Sequence, residues 1–470
     1  MAYSHYERLS ALDATFLEVE SPSVHMHVGC VAIVAGDALG EPAAGLDIER
    51  IRALAEPALH RHPRFRQRLA EIPGFRHPVW VDDPSFRLDY HLRHTALPEP
   101  GSERQLKRLA GRIFSQKLDR HRPLWELWLV EGLTGGRFAV ISKIHHCMVD
   151  GIAGAGLLAA FMTPAGPGAA APPRWIPRPA PSGLELLRDE LGRRFALPAR
   201  AASAGVRWLR EPLHAAEEAR TSLAAVAHLL QAGASSASST PLNDDIGPYR
   251  RFDWLRTDLA TVREARERLG GTVNDVVLAV VAGAMRRFLR RRGLAVDALD
   301  FRAMVPMSVR RRDQRAQLGN RVVSLAARLP VDEPERAERF RRVVAETERV
   351  KASDLAAGGE LLEGLSDALL AGLMPGLSRL AARARAFNLI VTNVPGPQVP
   401  LELLGARLEA IYPLVPLFSN QALGIALFSY DGALFWGFAA DWDAVPDLHE
   451  LVAFVREELE AIAKLAAAAR

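Results

Sequence analysis

Two adjacent histidines followed by an aspartate are the residues of this sequence best suited to acid–base chemistry. They lie in the stretch HHCMVDG, from His145 to Gly151, directly after the strand-like run 138–144. A neutral imidazole accepts a proton near physiological pH, so the pair contains a candidate general base. Successive side chains of a strand point to opposite faces, so only one of the two rings can face a given cavity. His146 shares its face with the apolar residues of the run. We therefore predict that it lies in an enclosed, mostly apolar channel with a pKa near neutral.

The other members of this stretch fit more than one role. Asp150 could orient the imidazole directly, as in a catalytic triad, or hold the loop by pairing with an arginine or with backbone amides. Gly151 suits a tight turn from strand to helix, where a side chain would block the channel. Cys147 follows His146 directly, so its side chain points elsewhere, and we predict a buried structural thiol rather than a nucleophile. The sequence contains no G-x-S-x-G motif that would supply a serine nucleophile.

Four further stretches carry polar or rigid residues at the ends of predicted elements. Pro123, Leu124 and Trp125 stand where a strand begins, a position that tolerates proline and lets the tryptophan pack. Thr272-x-x-Asp275 resembles a capping box, which accounts for the threonine and the aspartate at a helix start. Asn274 is not explained by that box.

The last two stretches follow predicted strands in the second half of the chain. Ser308 and Arg310 come after a strand end, so they face a tunnel or only shape the turn. Asn393 and the run Pro395-Gly396-Pro397 most simply form a rigid turn after a buried strand.

In this order and spacing the motifs resemble those of the bacterial wax ester synthase/diacylglycerol acyltransferase family, within the CoA-dependent acyltransferase superfamily. HHxxxDG is the active-site motif of that superfamily, and every fixed position is filled here. The resemblance runs from Leu9 to about Asp447. It implies two chloramphenicol-acetyltransferase-like domains with the active site in a tunnel between them.

The resemblance also implies a reaction and its site. His146 would take the proton of a hydroxyl as its oxygen attacks an acyl-CoA thioester, and would return it to the leaving thiol without a covalent intermediate. The acceptor would be a fatty alcohol or diacylglycerol. Asp150 would have a structural role in the motif loop, and Asn274 would help to stabilise the oxyanion. His145 and Gly151 complete the predicted catalytic residues. Substrate-binding or site-shaping roles fall to the other motif residues, namely Pro123, Leu124, Trp125, Asp275, Ser308, Arg310 and Asn393.

The predicted elements alone indicate an α+β or α/β arrangement of two layers in two halves. We predict an N-terminal domain at residues 1–165, a linker and helical crossover at 166–243, and a C-terminal domain at 244–470. The linker is rich in Pro, Gly and Ala, and an Ala/Leu/Arg/Glu-rich helical stretch follows it.

Composition fits a soluble globular protein, since 49% of the residues are hydrophobic and 24% are charged. Only 5 of the 59 basic residues are Lys, yet the net charge is just +4, so nucleic-acid binding is not indicated. The sequence has two cysteines, no apolar leader and no run of about 18 to 20 apolar residues. We therefore predict a cytoplasmic protein, at most peripheral to a membrane or lipid droplet.

No cofactor or metal is expected, and acyl-CoA is the predicted co-substrate. His25 and His27 have a spacing that could bind metal, but no third ligand follows at a recognisable distance, so we expect two partly exposed strand histidines. Two alternatives stay open. One is acyl transfer to another lipid or polyketide hydroxyl. The other is a catalytically silent lipid-droplet binding protein.

Overall fold

Two six-stranded sheets and the helices packed against them form the computed structural model of this chain. It describes residues 6–36, 45–75, 77–148, 175–195, 236–308, 322–364, 385–403 and 406–469. The mixed α/β architecture predicted from the sequence is confirmed by these sheets. The predicted domain boundaries remain a prediction.

The first sheet carries the histidine pair. Its strands are β2 (His27–Val34), β5 (Leu92–Ala96), β6 (Trp125–Leu133), β7 (Arg137–His145), β12 (Glu402–Leu403) and β13 (Ala406–Leu414), in the order β12-β13-β2-β7-β6-β5. Neighbouring strands are antiparallel except β5 and β6. The strand that ends in the histidine pair thus lies inside the sheet, bonded on both sides.

The second sheet is built from the C-terminal half of the chain. Its strands are β8 (Arg250–Asp258), β9 (Arg302–Ser308), β10 (Val322–Arg328), β11 (Leu389–Pro395), β14 (Leu423–Tyr430) and β15 (Ala433–Asp441), in the order β10-β9-β11-β14-β15-β8. The central strand β11 runs parallel to both of its neighbours, β9 and β14. A small third sheet pairs β4 (Val79–Asp82) with β1 (Tyr6–Arg8) and β3 (Gln67–Ala70).

The helices are α1 (Ala11–Val19), α2 (Ile48–Arg61), α3 (Leu88–His91), α4 (Glu103–Ser115), α5 (183–195), α6 (Leu259–Leu269), α7 (Val273–Arg291), α8 (Arg336–Gly364) and α9 (Leu448–Ala468). Among the described residues, no single helix is long and apolar enough to cross a membrane. The helices α6 and α7 are long and apolar enough only when taken together, and they are bent by 97° at the break between them.

Helix α7 is the buried helix of the second half, and the predicted capping box sets where it begins. Thr272 Oγ1 accepts from the backbone N–H of Asp275 at 3.3 Å, and Asp275 Oδ2 accepts from the N–H of Thr272 at 2.7 Å. The cap satisfies two donors that a helix start leaves unpaired. It places Asn274 in the first turn of α7.

Strand β13 joins the two sheets. It is hydrogen-bonded to β2 in the first sheet and also packs against β14 and β15 of the second. The approach is close, since a Cβ on Gly437 of β15 would lie 1.8 Å from the Pro413 carbonyl oxygen. Only glycine fits there. The alternating pattern of this C-terminal strand does not indicate that it belongs to the N-terminal sheet, because alternation does not specify a strand's partner.

Most predicted elements are present. The hairpin over Asp431-Gly432 is confirmed as β14 and β15, with φ of 43° and 75° at the two turn residues. The run 138–144 is confirmed within β7. Of the predicted crossover, residues 183–195 are helical, and 196–231 lie outside the described residues.

Candidate active site

The strand β7 ends at His145, and a short 3₁₀ turn, His146–Met148, begins immediately. The backbone N–H of His145 donates to the Leu124 carbonyl at 2.9 Å, and that of His146 donates to the Met26 carbonyl at 2.8 Å. Strand geometry, from which the opposite directions of the two rings were predicted, therefore extends to His145 but not to His146. The two rings still lie in different surroundings, because the turn redirects His146.

His146 lies against α1. Its ring stacks on Phe16 with centroids 3.9 Å apart and an interplanar angle of 25°. Burial lowers the pKa of His146 to about 4. This corrects the near-neutral pKa expected from the sequence, because removing the ring from water disfavours its charged form. His146 is therefore a neutral imidazole, able to accept a proton, throughout the physiological pH range.

One nitrogen of His146 is turned inward. Its Nδ1 is fully buried and has no hydrogen-bond partner among the described residues, although the residue as a whole is only half-buried. The other ring nitrogen, Nε2, is not among the buried side-chain atoms that lack a partner. Asp150 and Gly151, the remaining fixed residues of the motif, lie outside the described residues.

His145 faces away from His146 into a buried polar cluster. Its Nδ1 accepts from the backbone N–H of Cys147 at 3.2 Å and lies 3.0 Å from the Cys147 Sγ. Its Nε2 lies 3.7 Å from Oε1 of Glu20. Burial lowers the pKa of His145 to about 3 and raises the pKa of the Cys147 thiol well above its ordinary value. The prediction that Cys147 is buried is confirmed.

A buried lysine fixes β7 close to the pair. Lys143 donates to the carbonyl oxygens of Ile113 and Gln116, at 3.1 and 3.0 Å, where α4 ends. Its ammonium also pairs with Glu126 at 3.1 Å on the adjacent strand β6. A cation at the C-terminal carbonyls of a helix is favoured by the helix dipole, so α4 and β7 hold each other in register.

Pro123, Leu124 and Trp125 shape this end of the first sheet from inside. All three are buried. Trp125 donates from its indole N–H to the Phe65 carbonyl at 2.8 Å, and Leu124 packs with Cys147. These residues support the turn that carries His146. Trp125 is wholly buried in the core.

The prediction of partly exposed histidines at positions 25 and 27 is wrong. Both are buried, at 5% and 2% exposure, and His25 precedes β2 instead of lying within it. His27 pairs directly across the strands with His145, which is why it enters the buried cluster. No three His, Cys, Asp or Glu side chains in the described ranges are placed to hold a metal ion.

In the second half the structure brings Asn274 and Asn393 together. The Asn393 side-chain amide donates to Oδ1 of Asn274 at 2.7 Å, linking the first turn of α7 to the end of β11. Asp275 accepts from the Thr347 hydroxyl at 2.7 Å in addition to its capping bonds, so it is a structural anchor. Asn274 keeps an amide NH₂ with no partner among the described residues.

Of the two remaining predicted residues, the structure describes one. Ser308 ends β9, and Arg310 lies outside the described residues. Within the described ranges, no hydrogen bond or ring contact joins His146 and the residues around it to Asn274 and the residues around it. A cavity of about 370 Å³ between the halves is lined by Arg137 and Trp254 among others. Arg137 begins the strand that His145 ends, so this cavity lies away from the motif.

Two residues of the site were missed by the sequence analysis. Phe16 forms the face against which His146 stacks, and Glu20 lies beside His145. Their separation of four residues puts them near one side of the segment that α1 begins. That spacing was visible in the sequence, but the fact that α1 packs on the turn after β7 was not.

Buried histidines predict an acid-sensitive fold. Burial lowers the pKa of His25 and His91 to about 4, that of His145 to about 3, and that of His27 well below its ordinary value. From pH 6.5 down to about 4 the unfolded chain binds protons that the folded chain does not, so stability falls with pH in this window. Each such histidine contributes about 1.4 kcal/mol per pH unit to the slope.

Urea unfolding at pH 7, 6 and 5 measures this slope. His91→Gln, which removes one of these groups, is expected to make the slope shallower by up to about 1.4 kcal/mol per pH unit. Equal unfolding free energies at pH 7 and 5 would contradict the neutral burial of these rings.

Comparison with known proteins identifies two family matches along the chain. Residues 9–277 match the wax ester synthase/diacylglycerol acyltransferase catalytic domain, and residues 318–463 match the C-terminal domain of the same enzymes. A putative diacylglycerol O-acyltransferase of Mycobacterium tuberculosis is 36% identical, over 94% of this chain and 87% of that protein.

Solved structures agree with these matches. A wax ester synthase/diacylglycerol acyltransferase from Marinobacter aquaeolei is similar with a TM-score of 0.67 and 28% identity, covering 98% of this chain and 100% of that one. The starter condensation domain of rhizomide synthetase, solved with C8-CoA and Leu-SNAC, has a TM-score of 0.56 at 16% identity, covering 99% and 95%. The second likeness concerns the fold alone. The predicted fold class, two chloramphenicol-acetyltransferase-like domains, is confirmed.

Proposed function

This chain belongs to the wax ester synthase/diacylglycerol acyltransferase family, and we propose that it uses His146 as the general base of acyl transfer. It is an O-acyltransferase of that family, acting on an alcohol or diacylglycerol. Long-chain acyl-CoA as the acyl donor, and the roles of individual residues, are part of the proposal. The observation that carries it is the neutral, half-buried imidazole of His146, stacked on Phe16 at the end of β7.

The proposed reaction is a single displacement. The accessible nitrogen of His146 accepts the hydroxyl proton of the acceptor while the hydroxyl oxygen forms a bond to the thioester carbonyl carbon. The tetrahedral intermediate then breaks its C–S bond, and the thiolate of CoA receives the proton from the imidazolium. The products are one ester and one free CoA, and the enzyme forms no covalent bond.

We assign the stabilisation of the negatively charged oxygen to Asn274. Its amide NH₂ has no partner among the described residues, while its Oδ1 is held by Asn393. A preoriented donor of this kind stabilises charge that develops only in the transition state. Asn393 is the positioning residue for this amide, and Asp275 anchors the helix start that carries it.

The other motif residues keep supporting roles in the proposal. Asp150 would hold the motif loop and Gly151 would keep the strand-to-helix turn open. Pro123, Leu124 and Trp125 support the turn from the core, in keeping with their burial. Ser308 and Arg310 would shape the second half of the tunnel.

We also propose a cytoplasmic location with peripheral contact to a membrane or lipid droplet. Three exposed apolar side chains support this, namely Ile176, Leu184 and Phe195, each at least 76% exposed on or beside α5. Flotation with acidic liposomes tests this contact, and recovery of the protein away from the lipid fraction would contradict it.

The proposed function is tested with the purified full chain and palmitoyl-CoA, offering hexadecanol and diacylglycerol in separate reactions. We expect one ester formed for each CoA released, because the displacement couples the two. Thiol release is followed colorimetrically and ester formation by mass spectrometry, and the ratio of the two activities identifies the preferred acceptor.

Each negative result of this assay would indicate a different activity. CoA release without ester would indicate thioester hydrolysis in place of transfer. Lipid binding with neither product would favour a catalytically silent binding protein. Ester formation only with an added hydroxyl compound of another class would move the acceptor assignment to that class.

A further inference from the structure

We propose that Glu20 is a positioning residue of this active site, which fixes the tautomer of His145 and holds α1 against the turn that carries His146. Glu20 directly follows α1 and touches neither His146 nor any group assigned to the reaction. The inference rests on the proposed role of His146 and names a residue that acts through the neighbouring ring.

The Glu20 carboxylate is enclosed but remains ionically paired. Its side chain is 3% exposed, and its Oε2 accepts from Nε and Nη2 of Arg120 at 3.0 and 2.7 Å. Its Oε1 lies 3.7 Å from Nε2 of His145. Nζ of Lys117 lies 3.9 Å from Oε2 of the same carboxylate. Burying a charged carboxylate costs desolvation free energy, which is offset only where its ion-pair and hydrogen-bond partners are held in good geometry.

Two contacts at Nδ1 of His145 favour opposite tautomers. The Cys147 Sγ, 3.0 Å away, would accept from a protonated Nδ1, whereas the backbone N–H of Cys147 donates at 3.2 Å to an unprotonated Nδ1, so that the N–H of the neutral ring lies at Nε2. That N–H points towards Oε1 of Glu20 at a separation too long for a full hydrogen bond, so the attraction is mainly electrostatic.

His27 does not compete for this role, although its Nε2 lies 3.9 Å from the same oxygen. The backbone N–H of Leu118 donates to Nε2 of His27 at 3.4 Å, so that nitrogen presents a lone pair to the carboxylate and not a proton. His145 is therefore the histidine whose proton Glu20 can hold.

Glu20 and Arg120 also fix the end of α1. Arg120 Nη2 donates to the Leu17 carbonyl at 2.7 Å, one of the carbonyls that a helix end leaves unpaired. One turn earlier, Phe16 stacks on His146. The ion pair between Glu20 and Arg120 thus constrains two neighbours of the general base, namely the ring of His145 and the ring of Phe16.

The test compares Glu20→Gln with Glu458→Gln. Glu458 is a matched control, because it is 2% exposed and is held by Arg339 and Arg336 at 2.9 and 3.1 Å in the second half of the chain. For Glu20→Gln we expect kcat to fall by about 10- to 100-fold, the scale known for partners that orient histidine ligands of metal ions. KM for acyl-CoA should change little. Glu458→Gln should lower the unfolding midpoint and leave kcat intact.

The second readout does not depend on activity. ¹⁵N NMR of the histidine-labelled full chain without substrate should show His145 protonated on Nε2 in the wild type and a mixture of tautomers in Glu20→Gln. Glu20→Asp, which keeps the charge, should keep the Nε2 tautomer and retain more activity than the glutamine variant. This variant also serves if Glu20→Gln does not fold.

The outcomes separate the two proposals. An unchanged kcat together with an unchanged His145 tautomer in Glu20→Gln would overturn the positioning role. So would a loss of kcat in Glu20→Asp equal to that in Glu20→Gln with the tautomer intact in both, since charge would then not matter. A wild type that forms no ester would overturn the proposed function, while the tautomer of His145 would still report on Glu20.

Discussion

His146→Ala is expected to lower kcat for acyl transfer by about 10²- to 10⁴-fold, the range over which a positioned general base acts. The variant loses the only ring in the motif that is both neutral and accessible, because His145 is buried with its Nδ1 occupied. KM for acyl-CoA should stay nearly unchanged, since the imidazole acts on the hydroxyl proton. Initial rates of ester formation at saturating acyl-CoA measure the effect.

His94→Ala is the matched control, because His94 is exposed on β5 and pairs with Glu131. It should keep full activity. Added imidazole should restore part of the rate of His146→Ala by occupying the space beside Phe16. A variant that retains the wild-type kcat, while His145→Ala is inactive and responds to imidazole, would transfer the role of base to His145.

The elements that deliver the motif were predictable because their patterns are local. The apolar run before His145 and the Asp431-Gly432 turn each determine a strand or hairpin from neighbouring residues alone. The capping box at Thr272 and Asp275 is equally local, and it fixed the position of Asn274 correctly at the start of α7. In each of these patterns, the residues that specify the structure lie within four positions of one another.

The parts that escaped prediction depend on contacts between distant segments. Glu20 meets His145 across more than a hundred residues, and β13 enters the first sheet from the far end of the chain. The pKa of His146 was misjudged for the same reason, since Phe16, whose stacking buries the ring, belongs to another element. Alternation of side chains predicts which face a residue occupies, but not what covers that face.

Asn274→Asp is expected to lower kcat by about 10²- to 10³-fold, the loss that follows removal of one oxyanion donor. The carboxylate keeps the shape of the amide and still accepts from Asn393, but when ionised it cannot donate and it repels the developing oxyanion. Single-turnover ester formation measures the step directly. Thr272→Ala is the control, because it removes the helix cap, at about 1 kcal/mol of stability, and leaves the amide in place.

The link between the two asparagines can be tested by a double-mutant cycle. If Asn393 acts only by holding Asn274, then Asn393→Ala should lower kcat in the wild type but have no further effect in Asn274→Ala, because the group that it orients is gone. Independent losses that multiply would mean that each amide contacts the substrate by itself. If Asn274→Asp leaves kcat unchanged and lowers stability as Thr272→Ala does, Asn274 only builds the start of α7. The oxyanion would then be stabilised by donors from another part of the site.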